Sequence, residues 1–405
     1  MIAALTNTPR DYAWGSRTAL AELFGRPVSG GPEAEFWLGA HPASPSRLLA
    51  PGGVGGQETL DAWIAADPQQ TLGSRFAAGK RLPFLLKVLA IDAPLSLQAH
   101  PTPAQAEAGF ARENLAGLPA DAPERNYRDA FSKPELVYAL SDTFDALCGF
   151  RAPAEVREIV AELRIRGAYL LAGAEQALLA DFQDRITTDG LPALVDWLCS
   201  GNPAVVQLIA MVTRLTALPP QAPAPRFPAE LATVRLLAEA YPHDAGIVMS
   251  LLLNRVTLTR GQALYLPAGN IHAYLRGVGV ELMAASDNVL RGGLTPKHVD
   301  VAELLRVLDF CPVPAPFLVP EIPMPGVQIF RPDVPDFALV HFDGSATATQ
   351  YAPHGPAIAL CTRGSVELTG AASVTLTRGD AVFITPDEGT LTVSGGGELF
   401  LATTG

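Results

Sequence analysis

The hexapeptide VTLTRG occupies residues 256–261 and recurs at residues 374–379. The first copy is followed by QALYLPAGNIHAYL and the second by DAVFITPDEGTLTV, so both continue with alternating apolar residues and then reach a proline, Pro267 or Pro386. Such alternation predicts a strand with one buried face, which the proline ends. Of the two copies, the first alone then supplies a histidine, His272. The chain therefore contains two related β segments, one of which carries a side chain able to bind metal.

The first copy also matches the second cupin motif, G-x5-P-x-G-x2-H, with Gly261, Pro267, Gly269 and His272 in register. Cupins are jelly rolls, in which two antiparallel sheets close into a short barrel. In the second copy the turn is followed by DEGTL at residues 387–391, which supplies no histidine. The sequence thus resembles two cupin-type jelly-roll barrels of common descent, the first metal-bearing and the second degenerate.

The chain length and composition indicate a mainly β protein with several domains. The chain has 405 residues, 48% of them hydrophobic, with 36 Gly and 36 Pro, which is typical of many turns between short strands. From Pro153 onward, apolar residues fall at helical spacing. We expect a catalytic barrel from residues 1–150 and 241–310, an inserted α-helical domain at 151–240, and a C-terminal barrel at 311–405.

Four local predictions follow from the residue patterns. The five prolines of residues 216–228 should break any helix, and a further helix should follow near residues 230–240. The apolar run GIVMSLLLNRVTLTRG, residues 246–261, predicts one long buried strand. A last helix should begin with Thr295 as N-cap and Pro296 in its first turn, and end near Phe310.

Charge and cysteine usage restrict the partners and the compartment. The formal net charge of -12 disfavours nucleic acid and anionic membranes as partners, so a small anionic substrate would need a local basic pocket. The four cysteines form no CxxC pair, which is typical of free thiols in a reducing cytosol. The first residues, MIAALTNTPRDY, resemble no signal peptide, and no apolar run approaches the ~20 residues of a membrane span. We expect a cytoplasmic monomer that acts on a small molecule.

A set of potential metal ligands accompanies His272. LSLQAHP supplies Gln98 and His100, whose spacing places both side chains on one face of a strand. Glu135 opens the apolar run of SKPELVYAL. Two nitrogens and two oxygens suit a borderline divalent ion, and we expect one Zn²⁺ per chain. For His41, in GAHP, a structural hydrogen-bonding role is favoured over a fifth ligand.

Longer stretches resemble type I mannose-6-phosphate isomerase between Tyr12 and Phe310. They are YAWGS, EFWLGAHPASPS, PFLLKVLAIDAPLSLQAHP, SKPELVYAL and PAGNIHAYLRGVGVELMAASDNVLRGGLTPK. The resemblance implies that Gln98, His100, Glu135 and His272 are the zinc ligands. Family members commonly read HKPE where this chain has Ser132 before Lys133, so a proton relay through that histidine is in doubt here.

The resemblance implies interconversion of mannose 6-phosphate and fructose 6-phosphate through a cis-enediol(ate), and a place in GDP-mannose biosynthesis. Arg291, by its motif position, is expected to stabilise the enediolate. Lys133, two residues from a zinc ligand, is the first candidate for the base if its amine loses its proton readily. Asp287 and Glu281 are rivals that spacing alone does not rank. Further expected contacts to the sugar or its phosphate are Trp14, Lys87, Ser96, Tyr274, Asp287 and Lys297.

Two other functions are compatible with the same residues. Two histidines and one carboxylate also hold ferrous iron in oxygenases, so a cupin oxidoreductase is one alternative. Gln98 argues against it, because a fourth protein ligand would fill a position that oxygen needs. The other alternative is a non-catalytic cupin that binds a sugar phosphate, against which Lys133 and Arg291 argue.

Overall fold

The computed structural model describes residues 1–218, 224–346 and 348–405. The strands are β1 (Ile2–Thr6), β2 (Glu35–Leu38), β3 (Arg47–Leu48), β4 (Phe84–Ile91), β5 (Leu97–Ala99), β6 (Glu135–Ala139), β7 (Thr143–Phe150), β8 (Leu253–Thr259), β9 (Ala263–Leu266), β10 (His272–Ala284), β11 (Leu290–Gly293), β12 (Glu321–Met324), β13 (Val327–Phe330), β14 (Ala338–Phe342), β15 (Ala348–Tyr351), β16 (Ala357–Arg363), β17 (Ser365–Thr369), β18 (Ser373–Thr377), β19 (Ala381–Ile384), β20 (Leu391–Ser394) and β21 (Glu398–Thr403). The α-helices are α1 (Ala19–Phe24), α2 (Leu60–Ala66), α3 (Pro68–Phe76), α4 (Pro103–Leu115), α5 (Pro153–Gly167), α6 (Gly173–Thr188), α7 (Gly190–Cys199), α8 (Pro203–Ala217), α9 (Pro228–Ala240), α10 (Gly246–Met249) and α11 (Val301–Val307). The prediction of a mainly β chain interrupted by helices is confirmed.

In the described part of the chain the strands form three sheets, of nine, eight and four strands. The longest strand, β10, organises the first sheet by pairing with β5 and β7 through its first half and with β4 and β6 through its second. The change of partners occurs at Gly277, whose φ of 129° is open to glycine and strained for other residues. A Cβ there would lie 2.9 Å from the Phe144 backbone. This bend leaves His272 at the end of β10 that faces β5.

The second sheet draws strands from both ends of the chain, in the order β12-β13-β14-β21-β16-β19-β1-β3. The N-terminal strand β1 pairs with β19, for example Ile2 with Ile384. One hydrophobic cluster joins the first and second sheets and contains Leu86, Leu282 and Phe383. The two β regions therefore share a core, a feature that the spacing of motifs along the sequence did not indicate.

The two hexapeptides adopt the same local structure. Each lies in a strand, β8 or β18, that ends before a glycine, and both Gly261 and Gly379 have φ of 94°. Each glycine is followed by a four-residue strand, β9 or β19, and then by the proline. The left-handed glycine is what allows the chain to reverse within two residues.

The local predictions have mixed outcomes. The helices from Pro153 and near residues 230–240 are confirmed as α5 and α9. The helical part before the prolines ends at Ala217, and residues 219–223 of the proline-rich segment lie outside the described residues.

Two of the local predictions are wrong. Residues 246–252 form α10 and a 3-10 turn before β8 begins, because a fully buried apolar run fits a helix as well as a strand. The last helix is the shorter α11, and its N-cap is Asp300, whose carboxylate accepts the Glu303 N–H at 3.0 Å. The Thr295 hydroxyl instead accepts the Lys297 N–H in a turn.

No single helix of the described residues combines the length and the apolar composition needed to cross a membrane. The pair α7 and α8 reaches those values only jointly, and the two helices are bent by 91° relative to each other.

A polar cluster around the buried Glu398 connects the two β regions. Arg260, from the first hexapeptide, donates to both of its oxygens at 3.1 and 3.0 Å, and Thr362 donates at 2.8 Å. His341 Nε2 lies 3.2 Å from Oε1. Burial raises the pKa of Glu398, but the contacts of His341 and Thr362 and the charge of Arg260 outweigh burial and lower the pKa to about 2.

We therefore expect Glu398→Gln to reduce the free energy of unfolding at neutral pH by about 3 kcal/mol, since it leaves buried donors without a charged acceptor. The lowered pKa means that the carboxylate stabilises the fold above about pH 4.5 and loses this effect as pH falls toward 2. Chemical denaturation between pH 3 and 7 should show the deficit of the variant shrinking as pH falls. Glu367→Gln, on the exposed face of β17, is the control. A pH-independent deficit would contradict the assignment.

Candidate metal centre and cleft

Three buried side chains meet in the first sheet. His100, Glu135 and His272 each offer one ligand atom, and these atoms all lie within 4.8 Å of one another. The Nε2 atoms of His100 and His272 lie 3.3 and 3.2 Å from the two oxygens of Glu135. The sequence separates these residues by up to 172 positions, and the pairing of β5, β6 and β10 brings them together.

Strand register also brings Gln98 to this group. Gln98 lies directly opposite His272 on β10, and Arg291 on β11 lies opposite Gln98 on its other side. Side chains of directly opposite residues share one face of a sheet, with Cβ atoms roughly 5 Å apart. His272, Gln98 and Arg291 therefore form a row across three strands, beside His100 and Glu135.

Backbone carbonyls orient both imidazoles. His100 Nδ1 lies 2.7 Å from the Asn288 carbonyl oxygen, and His272 Nδ1 lies 2.9 Å from that of Asn270. A carbonyl accepts only, so each Nδ1 carries the hydrogen and each Nε2 presents its lone pair to the centre. Among the described residues, both Nε2 atoms and Glu135 Oε2 lack a hydrogen-bond partner. Three buried acceptors that converge without a donor fit a divalent cation.

The protonation states suit a cation as well. Burial, and then the charge of Lys133, lower the pKa of His100 to about 4. Burial raises the pKa of Glu135, but the charge of Lys133 and the contacts of His100 and His272 outweigh burial and hold the pKa well below its usual range. Metal ligands must be deprotonated, and both groups are so at neutral pH. Lys133 Nζ lies 2.7 Å from Glu135 Oε1, so it also compensates the buried carboxylate.

A cleft of about 480 Å³ opens beside the centre. Its lining includes most of the residues singled out in the sequence, namely Trp14, Lys87, Ser96, Gln98, Lys133, Asp287, Arg291 and Lys297. Tyr274 is not among the lining residues: it is buried and packs edge-on against Phe144, with ring centroids 5.4 Å apart. The expected contact between Tyr274 and the sugar is therefore replaced by a packing contact under the cleft.

Lysine is concentrated at the cleft. The chain has four lysines among its 29 basic residues, and Lys87, Lys133 and Lys297 line the cleft. This usage separates these lysines from ordinary surface charges, and it could have been read from the sequence.

Lys87 is held by carboxylates in the cleft wall. Its Nζ lies 3.1 Å from Glu281 and 3.8 Å from Glu35, and the Trp37 indole donates to Glu35. Burial lowers the pKa of Lys87, but the charges of Glu281 and Glu35 outweigh it and raise the pKa above the usual value. Glu281 is buried and does not line the cleft, which leaves Asp287, with a side chain 44% exposed, as the more accessible rival for the base.

One part of the cleft wall is positively charged, and it includes Arg128, which the sequence did not mark as a site residue. Arg128 lines the cleft together with Arg291 and Lys297. Burial, and then the neighbouring positive charges, lower the pKa of both Arg291 and Lys297. Within residues 1–218, 224–346 and 348–405, none of the three forms an ion pair. Arg128 lies in a loop, where no periodic pattern marks it in the sequence.

These features define a β-rich metalloprotein with a His₂Glu centre below a cationic cleft. The family model of the phosphomannose isomerase type I catalytic domain matches residues 2–153. The mannose-6-phosphate isomerase of Escherichia coli K12 is 41% identical over 98% of this chain and 97% of its own length. The human mannose-6-phosphate isomerase is 34% identical over 94% and 92%, respectively.

Solved structures agree with this assignment. Mannose 6-phosphate isomerase from Salmonella typhimurium, bound to fructose 6-phosphate and zinc, superposes with a TM-score of 0.86 at 36% identity, covering 100% of this chain and 99% of that one. A zinc-bound mannose 6-phosphate isomerase gives the same values. The chain belongs to the mannose-6-phosphate isomerase family.

The metal centre predicts a measurable loss on substitution. Glu135→Ala removes the charged ligand, and we expect Zn²⁺ affinity to fall at least a hundredfold, because the remaining ligands are neutral. Equilibrium dialysis of chelator-treated protein against Zn²⁺ measures it. Glu367→Ala, on the surface of the C-terminal region, should bind one ion per chain like the parent. Tight one-to-one binding by Glu135→Ala would contradict the site.

Proposed function

We propose that this chain is a zinc-dependent aldose-ketose isomerase that interconverts mannose 6-phosphate and fructose 6-phosphate. One observation carries the proposal: the three unpartnered ligand atoms of His100, Glu135 and His272 converge beside a cleft whose wall bears unpaired cations. The family supports the substrate pair, because relatives carry that name and one solved relative holds fructose 6-phosphate and zinc. Gln98 is the proposed fourth ligand.

The reaction removes the proton on C2 of the open-chain aldose, forms a cis-enediolate, and returns a proton to C1 while a hydroxyl proton moves between O2 and O1. It requires a base near C1 and C2, positive charge near both oxygens, and an anchor for the phosphate. Zinc, when bound, supplies Lewis acidity toward the sugar oxygens. Arg291, in the same row as Gln98, is proposed to donate to the enediolate oxygens.

Two side chains are proposed to move the protons. Lys133 is paired with Glu135 at 2.7 Å as an ammonium, so it can donate a proton to a substrate oxygen and must first lose a proton before its amine can take one from carbon. Asp287 lines the cleft with an exposed carboxylate whose pKa is lowered, so it is ionised at neutral pH and able to accept a proton. Glu281 is disfavoured because it is buried against Lys87.

The phosphate is proposed to bind at Arg128 and Lys297. A dianion offsets the mutual repulsion of the cations on this wall and also concentrates substrate on a chain of net charge -12. Ser96 and Trp14, on the same cleft, are proposed contacts to the sugar.

The fold is proposed to be two cupin-type barrels of common descent. In the first sheet β6 pairs with β9, and β7 with β8 and β10; in the C-terminal region β16 pairs with β19, and β17 with β18 and β20. Aligning the hexapeptides through these registers puts Ala357 at the position of Glu135 and Thr392 at that of Ala273, so the preceding Leu391 takes the place of His272. This equivalence supports a second barrel that has lost its ligands.

Domain boundaries of 1–150 with 241–310, 151–240 and 311–405 remain proposals, with β1 contributing to the C-terminal sheet. A cytoplasmic monomer and a place in GDP-mannose biosynthesis also stay predictions. The cupin oxidoreductase and the non-catalytic binding protein are not favoured, given the family and its substrate-bound structure.

Arg291 should be needed for turnover and not for the metal. Arg291→Ala is expected to retain one zinc per chain and to lower kcat at least a hundredfold, because the lost donor acts on charge that develops in the transition state. A coupled assay with mannose 6-phosphate, run beside metal analysis, measures both quantities. Full activity in Arg291→Ala, or in metal-free parent enzyme, would refute the scheme.

Arg128 and Lys297 should affect substrate binding through the phosphate. Each alanine variant is expected to raise KM for mannose 6-phosphate about tenfold or more, since a charge-assisted hydrogen bond contributes about 1.5–3 kcal/mol. Arg226→Ala, on the helical block and 70% exposed, is the control. If the same variants raised KM equally for the weak turnover of unphosphorylated mannose, the two residues would not be the phosphate anchor.

A further inference from the structure

His41 contacts the carboxylate of Asp287, which lines the cleft. His41 Nε2 lies 3.1 Å from Asp287 Oδ2. The Ala43 N–H donates to His41 Nδ1 at 3.2 Å, so the ring hydrogen lies on Nε2 and is donated to the carboxylate. Among the described residues, the His41 nitrogen is the one ion-pair contact of the Asp287 carboxylate, and it lies against Oδ2. One oxygen is thus engaged by His41, while the other is available to substrate.

The surroundings fix the histidine and the backbone of its partner. The His41 ring packs edge-on against Trp37, with centroids 5.0 Å apart and planes at 84°. The Asp287 N–H donates to Asp129 Oδ2 at 2.9 Å. His41 is buried, and its contacts with the Trp37 ring and the Ala43 N–H do not involve the Asp287 carboxylate. The imidazole is therefore a rigid donor placed in advance of substrate.

Asp287 has an alternative direction in which to point. A second cavity of about 330 Å³ adjoins the cleft, and Asp287 and Arg128 line both spaces. A carboxylate at such a boundary can rotate toward either space unless a contact fixes it, and a rotated carboxylate would be lost to the reacting carbons. His41 lines the second cavity and not the cleft, so its contact restrains Oδ2 on the side of that cavity and leaves Oδ1 as the oxygen for the cleft.

The groups around Asp287 favour its ionised form. Burial raises the pKa of Asp287, but the contact with the His41 N–H and the charges of Lys133 and Lys87 outweigh burial and lower it. Arg128 is a further cation on the shared lining. Loss of the His41 donor should therefore raise the pKa of Asp287.

We propose that His41 is a positioning residue that holds the Asp287 carboxylate in one orientation at the cleft wall by donating its Nε2 hydrogen. Asp287 Oδ1 takes the proton from C2 of the substrate and delivers it to C1. His41 neither gains nor loses a proton in these steps. This inference rests on the proposed function and assigns His41 a role beyond packing.

The test compares His41→Phe, which keeps a ring against Trp37 without the donor, with His41→Gln, whose amide can donate to Asp287. Removal of the donor raises the pKa of Asp287, and activity needs the ionised carboxylate. The acidic limb of the kcat/KM profile should therefore move to higher pH, by about one unit, in His41→Phe and return toward the parent in His41→Gln. In an Asp287→Asn background, His41→Phe should cause no further loss.

A second measurement does not depend on turnover. In protein labelled with ¹³C at aspartate carboxyls, the resonance that disappears in Asp287→Asn should titrate at higher pH in His41→Phe. Folded His41→Phe protein with an unchanged acidic limb and unchanged titration would overturn the role of His41, as would an additive loss in the double variant. Parent enzyme that does not turn over mannose 6-phosphate would instead overturn the proposed function, and the titration would still test the contact.

Discussion

The burial of the Glu135 charge is the constraint on which the rest of the site depends. A carboxylate almost without solvent contact is costly unless opposite charge or donors surround it. Here Lys133 lies at 2.7 Å, and two imidazoles present lone pairs, so the group is incomplete without a cation. The carbonyls of Asn288 and Asn270 set the tautomers of His100 and His272, so that both Nε2 lone pairs face Glu135 and can bind a metal ion.

The cleft is rich in positive charge, although the chain as a whole is negatively charged. The protein carries a net charge of -12, yet three of its four lysines line one cavity, together with Arg128 and Arg291. Such a local excess of positive charge raises the concentration of an anionic substrate where it can react. The two carboxylates of the lining are each held by a neighbouring side chain. Glu35 contacts Lys87 and Trp37, and Asp287 contacts His41.

The C-terminal region shows what the proposed duplication retained and what it lost. The left-handed turn glycines Gly261 and Gly379 and the pairing pattern are common to both regions, because they serve strand geometry. The Glu398 cluster ties the two regions through Arg260, a residue of the first hexapeptide. The eight-stranded sheet thus supports the first sheet through a shared core.

The sequence by itself determined the mainly β class and the helical block, and it supplied the candidate metal ligands, because strand alternation and ligand chemistry are local properties. It did not decide the run at residues 246–252, since full burial removes periodicity. Tertiary structure decided the entry of β1 into the C-terminal sheet, the place of Arg128 in the cleft and the contact of His41 with Asp287. Each depends on segments far apart in sequence that meet only when the sheets pack, and no local pattern records such a distance.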